Sequence, residues 1–188
     1  MKFKTQISKS EWISFILTLI ATLFGVFIAI WLTNSEVRNK EKKDAIKLLK
    51  TAKLILHSTS IHSKSPNNYM VKLEKDTINY TKNHIESIKS KNPIPYPDLL
   101  KTILSNNLVT MNVSEYTHNV IYSNLISSKK FAEYRSIEIY LKSLEEIIII
   151  LNLEIELLND EIELTELKLK YNEQSKSKLK RNISPNTH

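Results

Sequence analysis

The sequence of 188 residues contains no cysteine and a single glycine, Gly25. Without cysteine the chain can form neither a disulfide framework nor a thiolate metal site, and it has no cysteine nucleophile. Average usage would give a chain of this length about a dozen glycines, so very few positions suit left-handed turns and hairpins. A glycine-rich phosphate-binding loop is therefore excluded, and an all-β fold is disfavoured.

The residue spacings of common catalytic and metal sites are missing as well. No Gly-x-Ser-x-Gly nucleophile elbow can form with one glycine. No histidine has a second histidine or a carboxylate four residues away in the pattern of a zinc-binding helix. The five histidines are His57, His62, His84, His118 and His188. We therefore predict no enzyme activity, no cofactor and no metal site.

A long apolar segment lies close to the N-terminus. From Trp12 to Leu32 the chain has 21 residues without a charged side chain, and as a helix this segment is about 31 Å long, which matches the hydrocarbon core of a bilayer. Trp12 and Trp31 stand near its two ends, where tryptophan favours the membrane interfaces. The sequence thus predicts a short N-terminal tail over 1–11 and a transmembrane helix over 12–32.

Two other interpretations of this segment stay open. A cleaved signal peptide has a shorter apolar region, usually about 7 to 15 residues, followed by a small-x-small cleavage site. Here only Thr33 and Ser35 offer such a site. The third interpretation is a helix buried in a soluble core.

The basic residues on either side of the span predict its orientation, because lysine and arginine resist translocation. Three precede the span and seven follow it within about twenty residues. They are Lys2, Lys4 and Lys9 before it, and Arg38, Lys40, Lys42, Lys43, Lys47, Lys50 and Lys53 after it. We expect the N-terminal tail outside and the chain from Thr33 onward in the cytoplasm.

Small and hydroxylated residues within the span share one side of the helix. At 100° per residue they fall within an arc of about 100°. They are Ser14, Thr18, Ala21, Thr22, Gly25 and Ala29, and we call them the small-residue stripe. Such a narrow face lets two helix backbones approach closely, so the stripe predicts self-association of the span; a chance scatter of small residues is the alternative.

A basic helix over 33–57 is expected to continue the span without a break. Its apolar residues recur at intervals of three and four; they are Ala45, Leu48, Leu49, Ala52, Ile55 and Leu56. The basic residues that we expect to contact anionic lipid headgroups are Arg38, Lys40, Lys42, Lys43 and Lys47. Each contributes about 1 kcal/mol when close to the leaflet. Alternatively, these residues only enforce the topology.

The middle of the chain, 58–128, is predicted to be a helical region interrupted by loops. Its elements are a polar loop from Ser58 to Asn68, a helix from Tyr69 to Ser90, a proline-rich connector over 91–97, and short helices from Asp98 to Ser105 and from Ser114 to Ser127. Asp98 is expected near the N-cap of the first short helix, and Ser114 as the cap of the second. Three prolines favour extended backbone in the connector. A rigid connector is the expected role, and a ligand for a proline-binding groove is the alternative.

The C-terminal third has the most regular pattern. Ten of the eleven positions reached in steps of three and four from Tyr134 to Leu169 are apolar or aromatic, which predicts one long coiled-coil-like helix over 129–180, followed by a tail over 181–188. A second apolar stripe, interrupted by Asp160, lies on the opposite side. A helix with two apolar faces must be covered on both, so we expect it to be the central member of a bundle.

Charge divides the chain into an acidic helix and basic surroundings. Residues 138–166 hold nine acidic side chains against Lys142 alone, a net charge of −8, while the whole chain carries +7. Two copies of the acidic helix would repel each other along their flanks, whereas the basic segments at 38–53 and 72–89 offer opposite charge. Packing within one chain is therefore favoured over a homodimeric zipper, although isoleucine and leucine alternation would also suit a parallel dimer.

Two stretches carry a family resemblance. They are GVFIAIWLTN at Gly25–Asn34, followed by the basic segment, and SEYTHNVIYSNLISSKKF at Ser114–Phe131, which precedes the C-terminal helix. In these stretches the chain resembles small single-pass bacterial membrane proteins of unknown function that have a cytosolic helical domain. The resemblance implies location in the bacterial inner membrane and an all-α fold, and it assigns no functional residue.

The sequence as a whole predicts a membrane-anchored helical interaction or assembly protein without enzymatic activity. Its expected partners are membrane lipid, a second copy of the chain and an unidentified protein. The alternative is a membrane-acting effector, a toxin or phage-defence component whose clustered spans perturb the bilayer on a cytosolic signal. The sequence pI of about 9.4 is a weak indication of nucleic-acid binding, and none is expected, since RNP-like and zinc-finger motifs are absent.

Overall fold

A computed structural model describes residues 9–75, 81–133 and 136–183, and the regular secondary structure of these residues is entirely helical. The helices are α1 (Lys9–Lys75), α2 (Lys82–Lys91), α3 (Asp98–Leu104), α4 (Asn107–Asn112), α5 (Glu115–Glu133), α6 (Ile137–Leu158) and α7 (Leu164–Ile183). The predicted all-α class is confirmed. The chain divides into two compact units, residues 1–41 and residues 42–188.

The long helix α1 contributes to both units. It begins at Lys9, so the last residues of the predicted N-terminal tail are helical, and residues 1–8 lie outside the described residues. The predicted junction between the segments 12–32 and 33–57 is continuous helix, as expected. In the second unit the buried residues of α1 recur at the predicted spacing; they are Ala45, Leu49, Ala52 and Leu56.

The predicted loop from Ser58 to Asn68 is wrong, because α1 continues through it to Lys75. Its hydroxyl groups bond back to the preceding turn: Thr59 donates to the Ile55 carbonyl at 2.8 Å and Ser63 donates to the Thr59 carbonyl at 2.7 Å. Ser63 and Leu73 are buried, so tertiary packing holds this polar segment in a helix. The predicted helix from Tyr69 to Ser90 is divided between α1 and α2, and residues 76–80 lie outside the described residues.

The proline-rich connector is confirmed as non-helical chain between α2 and α3. Two tyrosine hydroxyls bind it to the bundle. Tyr96 donates to the Leu125 carbonyl of α5 at 3.3 Å, and Tyr140 of α6 donates to the Pro95 carbonyl. The helix α3 begins at Asp98, as predicted, and α4 is an additional helix whose N-cap, Asn106, accepts the Leu108 N–H at 3.0 Å.

The prediction of a single C-terminal helix over 129–180 is wrong. This segment forms the end of α5, then α6 and α7. The α6–α7 turn follows the C-cap Asn159, and Asp160 takes a positive φ of 60°. Aspartate and asparagine tolerate this left-handed conformation, which ends helices. Heptad spacing continues across the turn and therefore conceals it. Tyr134, the first heptad position, lies outside the described residues.

After these turns both α5 and α7 pack against α6, which agrees with its expected central position. Its fully buried side chains include Tyr140, Leu144, Ile147, Ile150 and Leu151. The predicted attraction between the acidic segment and basic α1 is present where Lys42 Nζ lies 3.0 Å from Asp160 Oδ1. The second basic segment pairs elsewhere: Lys89 of α2 lies 2.6 Å from Glu74 of α1.

Candidate membrane anchor and basic surface

The first part of α1 is an apolar helix whose described side chains are exposed. Every residue from 9 to 34 is exposed. An 18-residue window of this helix has a mean hydropathy of 2.6, and none of it is buried. Soluble monomers seldom expose an apolar patch larger than a few hundred Å². Among the described residues there is thus one helix, near the N-terminus, that is long and apolar enough to cross a membrane.

The threonine hydroxyls of this segment satisfy their hydrogen bonds within the helix. Thr18 donates to the Ser14 carbonyl and Thr22 to the Thr18 carbonyl, both at 2.8 Å, and Thr33 donates to the Ala29 carbonyl at 2.9 Å. An unsatisfied polar group costs several kcal/mol in hydrocarbon, on the order of a lost hydrogen bond. The threonines therefore present mainly their methyl groups to the surroundings, which suits either lipid or another helix.

The small-residue stripe lies on exposed helix along its whole length, from Ser14 to Ala29. A Cβ atom added at Gly25 would have no atom within 4 Å. The narrow face is therefore open to the approach of a second helix, and the helical register brings its six residues together as predicted.

The two tryptophans occupy opposite ends of the apolar segment. Trp12 is 54% exposed and Trp31 is 69% exposed. The Trp12 ring packs edge to face on Phe15, with ring centroids 6.2 Å apart. Since 19 residues separate them, the two indoles are about 29 Å apart along the helix axis, close to the thickness of a hydrocarbon core.

The five predicted headgroup residues are not equivalent in the structure. Arg38, Lys40 and Lys43 are exposed, and within the described ranges they form no ion pair. By contrast, Lys42 pairs with Asp160, and Lys47 lies 2.8 Å from Asp44 Oδ1 on its own helix.

In the second unit the exposed lysines of α1 occupy one face. At 100° per residue, Lys43, Lys47 and Lys50 lie within about 60° of one another, on the side opposite the buried Leu49 and Ala52. We call these three residues the basic face. Lys50 was absent from the predicted headgroup set, although its helical spacing from Lys43 and Lys47 indicates the same face.

Glu154 is a structural residue that the sequence pattern misplaces. It is one of the nine acidic side chains of 138–166 that were expected on the flanks of the helix, yet the side chain is completely buried. It accepts the Ser114 N–H at 2.6 Å, the Ser114 hydroxyl at 2.8 Å and the Thr117 hydroxyl at 2.5 Å. The Ser114 hydroxyl in turn accepts the Thr117 N–H at 3.3 Å, so Ser114 caps α5 as predicted.

This arrangement binds the start of α5 to the C-terminal part of α6. A carboxylate at a helix N-terminus is stabilised by the exposed N–H groups and the helix dipole. All of its observed contacts are structural. A serine and a threonine three residues apart at a predicted helix start are the only sequence signal for such an acceptor.

Among the described residues, no group of three or more histidine, aspartate or glutamate side chains is placed to hold a metal ion. Burial raises the pKa values of Tyr140 and Tyr171 to about 12. Both rings belong to the core of the bundle, so these shifts reflect packing.

The chain matches no family model, no curated protein and no solved structure, so a functional proposal depends on its own residues and geometry.

Proposed function

We propose that this chain is a single-pass membrane protein of the bacterial inner membrane whose cytoplasmic helical bundle serves as a non-enzymatic interaction or assembly module. The observation that carries the proposal is the apolar segment 12–32, all of whose residues are exposed among the described parts of the chain. Burying its side chains in lipid is strongly favourable, at about 25 cal/mol per Å² of apolar surface.

Two features of the segment favour this proposal over the two alternatives. A helix in a soluble core is mostly buried, whereas the apolar window here has no buried residue. Cleavage at the Thr33-x-Ser35 site would fall after Ser35, inside a helix that continues unbroken to Lys75.

Orientation follows from the charges. Seven basic residues follow the span within about twenty residues and three precede it, which favours the N-terminus outside and the bundle in the cytoplasm. The basic face of Lys43, Lys47 and Lys50 then supplies exposed cations for anionic headgroups of the inner leaflet, at about 1 kcal/mol for each residue near the surface. Membrane lipid is accordingly the first partner that we propose.

Cysteine labelling tests location and orientation together, because the chain has no cysteine of its own. We expect full-length protein carrying Lys4→Cys to react with a membrane-impermeant maleimide in intact cells. Protein carrying Lys101→Cys, an exposed position on α3, should react only after permeabilisation. Recovery of the chain in the soluble fraction without detergent would refute the anchor, and a mature mass lacking the segment would show a cleaved signal peptide.

Self-association of the span is the second part of the proposal. The open face at Gly25 and the internally bonded threonines support close helix contact. A Cβ at position 25 meets no neighbouring helix, so Gly25→Ile should leave the monomer intact and weaken association in mild detergent. Phe27→Ile, on the opposite side and 72% exposed, is the matched control.

The same variant distinguishes the assembly module from a membrane-acting effector. For an assembly module, overexpression leaves the membrane potential unchanged. Dissipation of the potential that disappears with Gly25→Ile would favour the effector, whose spans act on the bilayer only when clustered.

A further inference from the structure

A groove of about 930 Å³ lies between α1 and α6 in the second unit, with Gln174 of α7 also in its lining. One wall is α1 from His57 to Lys64. The other is α6, whose lining residues recur at intervals of three and four from Glu138 to Asn152, a length of about 21 Å or four helical turns. Each wall bears an exposed isoleucine: Ile61 on α1 is 54% exposed and Ile139 on α6 is 45% exposed. The groove is thus a partly apolar surface that the chain itself leaves open.

The helices run antiparallel along the groove. Lys42 of α1 pairs with Asp160 beyond the C-terminal end of α6, while the Ser63 hydroxyl interacts with Tyr140 in the first turn of α6. Lys64 and Glu138 therefore lie at the same end of the groove, on opposite walls.

Charge differs between the two walls. The α1 wall carries Lys64, and the α6 wall carries Glu138 and Glu145 together with Lys142. Within the described part of the chain, Lys64, Lys142 and Glu138 form no ion pair. The groove thus has a cation on its α1 side and mainly carboxylates on its α6 side, and Lys64 and Glu138 do not pair with each other across it.

We propose that this groove binds the same groove of a second copy of the chain, through a two-fold axis that runs along it. This rotation places the α1 wall of one copy opposite the α6 wall of the other. Lys64 then faces Glu138 of the second copy, and Ile61 faces its Ile139. The inference deepens the self-association proposed above, because it adds a contact outside the span between the same two copies.

Charge complementarity favours a second copy over other occupants. An acidic helix would pair with Lys64 and Lys142 but would oppose Glu138 and Glu145, and a basic helix would do the reverse. Like charges held together at an interface suppress binding of the wrong partner. The two-fold arrangement pairs both signs, and Lys64 of α1 offsets part of the repulsion that disfavours pairing of two acidic helices alone.

A charge-exchange experiment on the full-length protein tests this arrangement. Lys64→Glu and Glu138→Lys are prepared as separate variants with different affinity tags and are mixed in mild detergent. A two-fold dimer has two equivalent contacts between position 64 of one copy and position 138 of the other. In a homodimer of either variant both contacts bring like charges together, whereas in the heterodimer both contacts join opposite charges. We expect each variant alone to dimerise at least about tenfold more weakly than the original chain, and the mixture to recover the heterodimer.

Two controls separate the contact from folding defects. The chain with both exchanges should dimerise like the original, since each contact again joins opposite charges. Lys101→Glu changes an exposed lysine outside the groove and should have no effect. Circular dichroism of every variant should show the original helix content.

The outcomes are distinct. Equal dimerisation of both single variants and of the original, or failure of the mixture to recover, would overturn the inference. So would a monomeric original chain that purifies with a different protein in the groove. Charge selectivity that persists in Gly25→Ile supports the groove contact while contradicting the proposed role of the span. Dependence on Gly25 without charge selectivity supports the span and contradicts the groove.

Discussion

Replacing Glu154 by alanine removes a buried acceptor on which three donors of the α5 N-terminus depend. The donors are the Ser114 N–H, the Ser114 hydroxyl and the Thr117 hydroxyl, all within 2.8 Å of a carboxylate oxygen. A buried donor left without a partner costs about 1–3 kcal/mol. Because the two hydroxyls can rotate towards other acceptors, we expect a total loss of about 3–5 kcal/mol in the free energy of unfolding.

A loss of this size is a large part of the stability of a small helical unit, which is typically about 5–15 kcal/mol. Glu154→Gln retains an acceptor oxygen, and its amide can donate to the hydroxyls, so it should cost only about 1–2 kcal/mol. Thr117→Val removes one donor while conserving shape. In a double-mutant cycle with Glu154→Gln its coupling should be about 1–2 kcal/mol.

The measurement is urea unfolding of full-length protein in a fixed detergent, followed by far-UV circular dichroism. Hydrogen exchange of the amides at the start of α5 gives the local effect. Glu156→Ala is the matched control on the same helix. Its carboxylate is partly exposed and contacts Lys170 at 3.5 Å, while Lys170 also pairs with Glu166. The expected loss there is below about 1 kcal/mol, and an equal effect of the two alanine variants would refute the role assigned to Glu154.

Two further predictions concern the α6–α7 turn and the α6 core. Asp160→Val places a β-branched residue at a φ of 60° and should lower the free energy of unfolding by about 1–2 kcal/mol. Asp160→Asn is the control, since asparagine tolerates this φ and should have little effect. Equal losses for the two variants would contradict the assignment of the effect to backbone strain at this position. Burial raises the pKa of Tyr140 to about 12. The neutral phenol therefore stabilises the folded state fully below the unfolded-state pKa of about 10. This contribution, about 2–3 kcal/mol in all, is lost as the pH rises from 10 through 12. Unfolding measured from pH 9 to 12 should show a weaker pH dependence for Tyr140→Phe, and an unchanged slope would contradict this assignment.

Much of the local structure is readable from the residues in order. The apolar segment 12–32, the recurrence of Ala45, Leu49, Ala52 and Leu56, and the proline-rich connector all depend on short-range periodicity or on the fixed backbone of proline. The structure agrees with each of these predictions. The sequence also indicated that the helix now seen as α6 must be covered on two faces.

The errors arose where distant contacts override local preference. Polar residues from Ser58 to Asn68 favour a loop on their own, but they are helical in a segment where Ser63 packs inside the bundle. Glu154 resembles a surface acid until α5 places Ser114 and Thr117 around it.

The sequence by itself determined the helical class, the apolar segment with its small-residue stripe, and the two-faced character of α6, because each is a property of residues within a few turns of one another. Only the tertiary structure decided where the C-terminal pattern folds back, which acid is buried, and which charged side chains of α1 and α6 line a common groove. Heptad spacing is the same on both sides of a turn such as that at Asp160, so periodicity alone cannot locate the turn. The contacts made after the chain reverses direction join residues far apart in sequence, and these contacts determine the position of every charge discussed above.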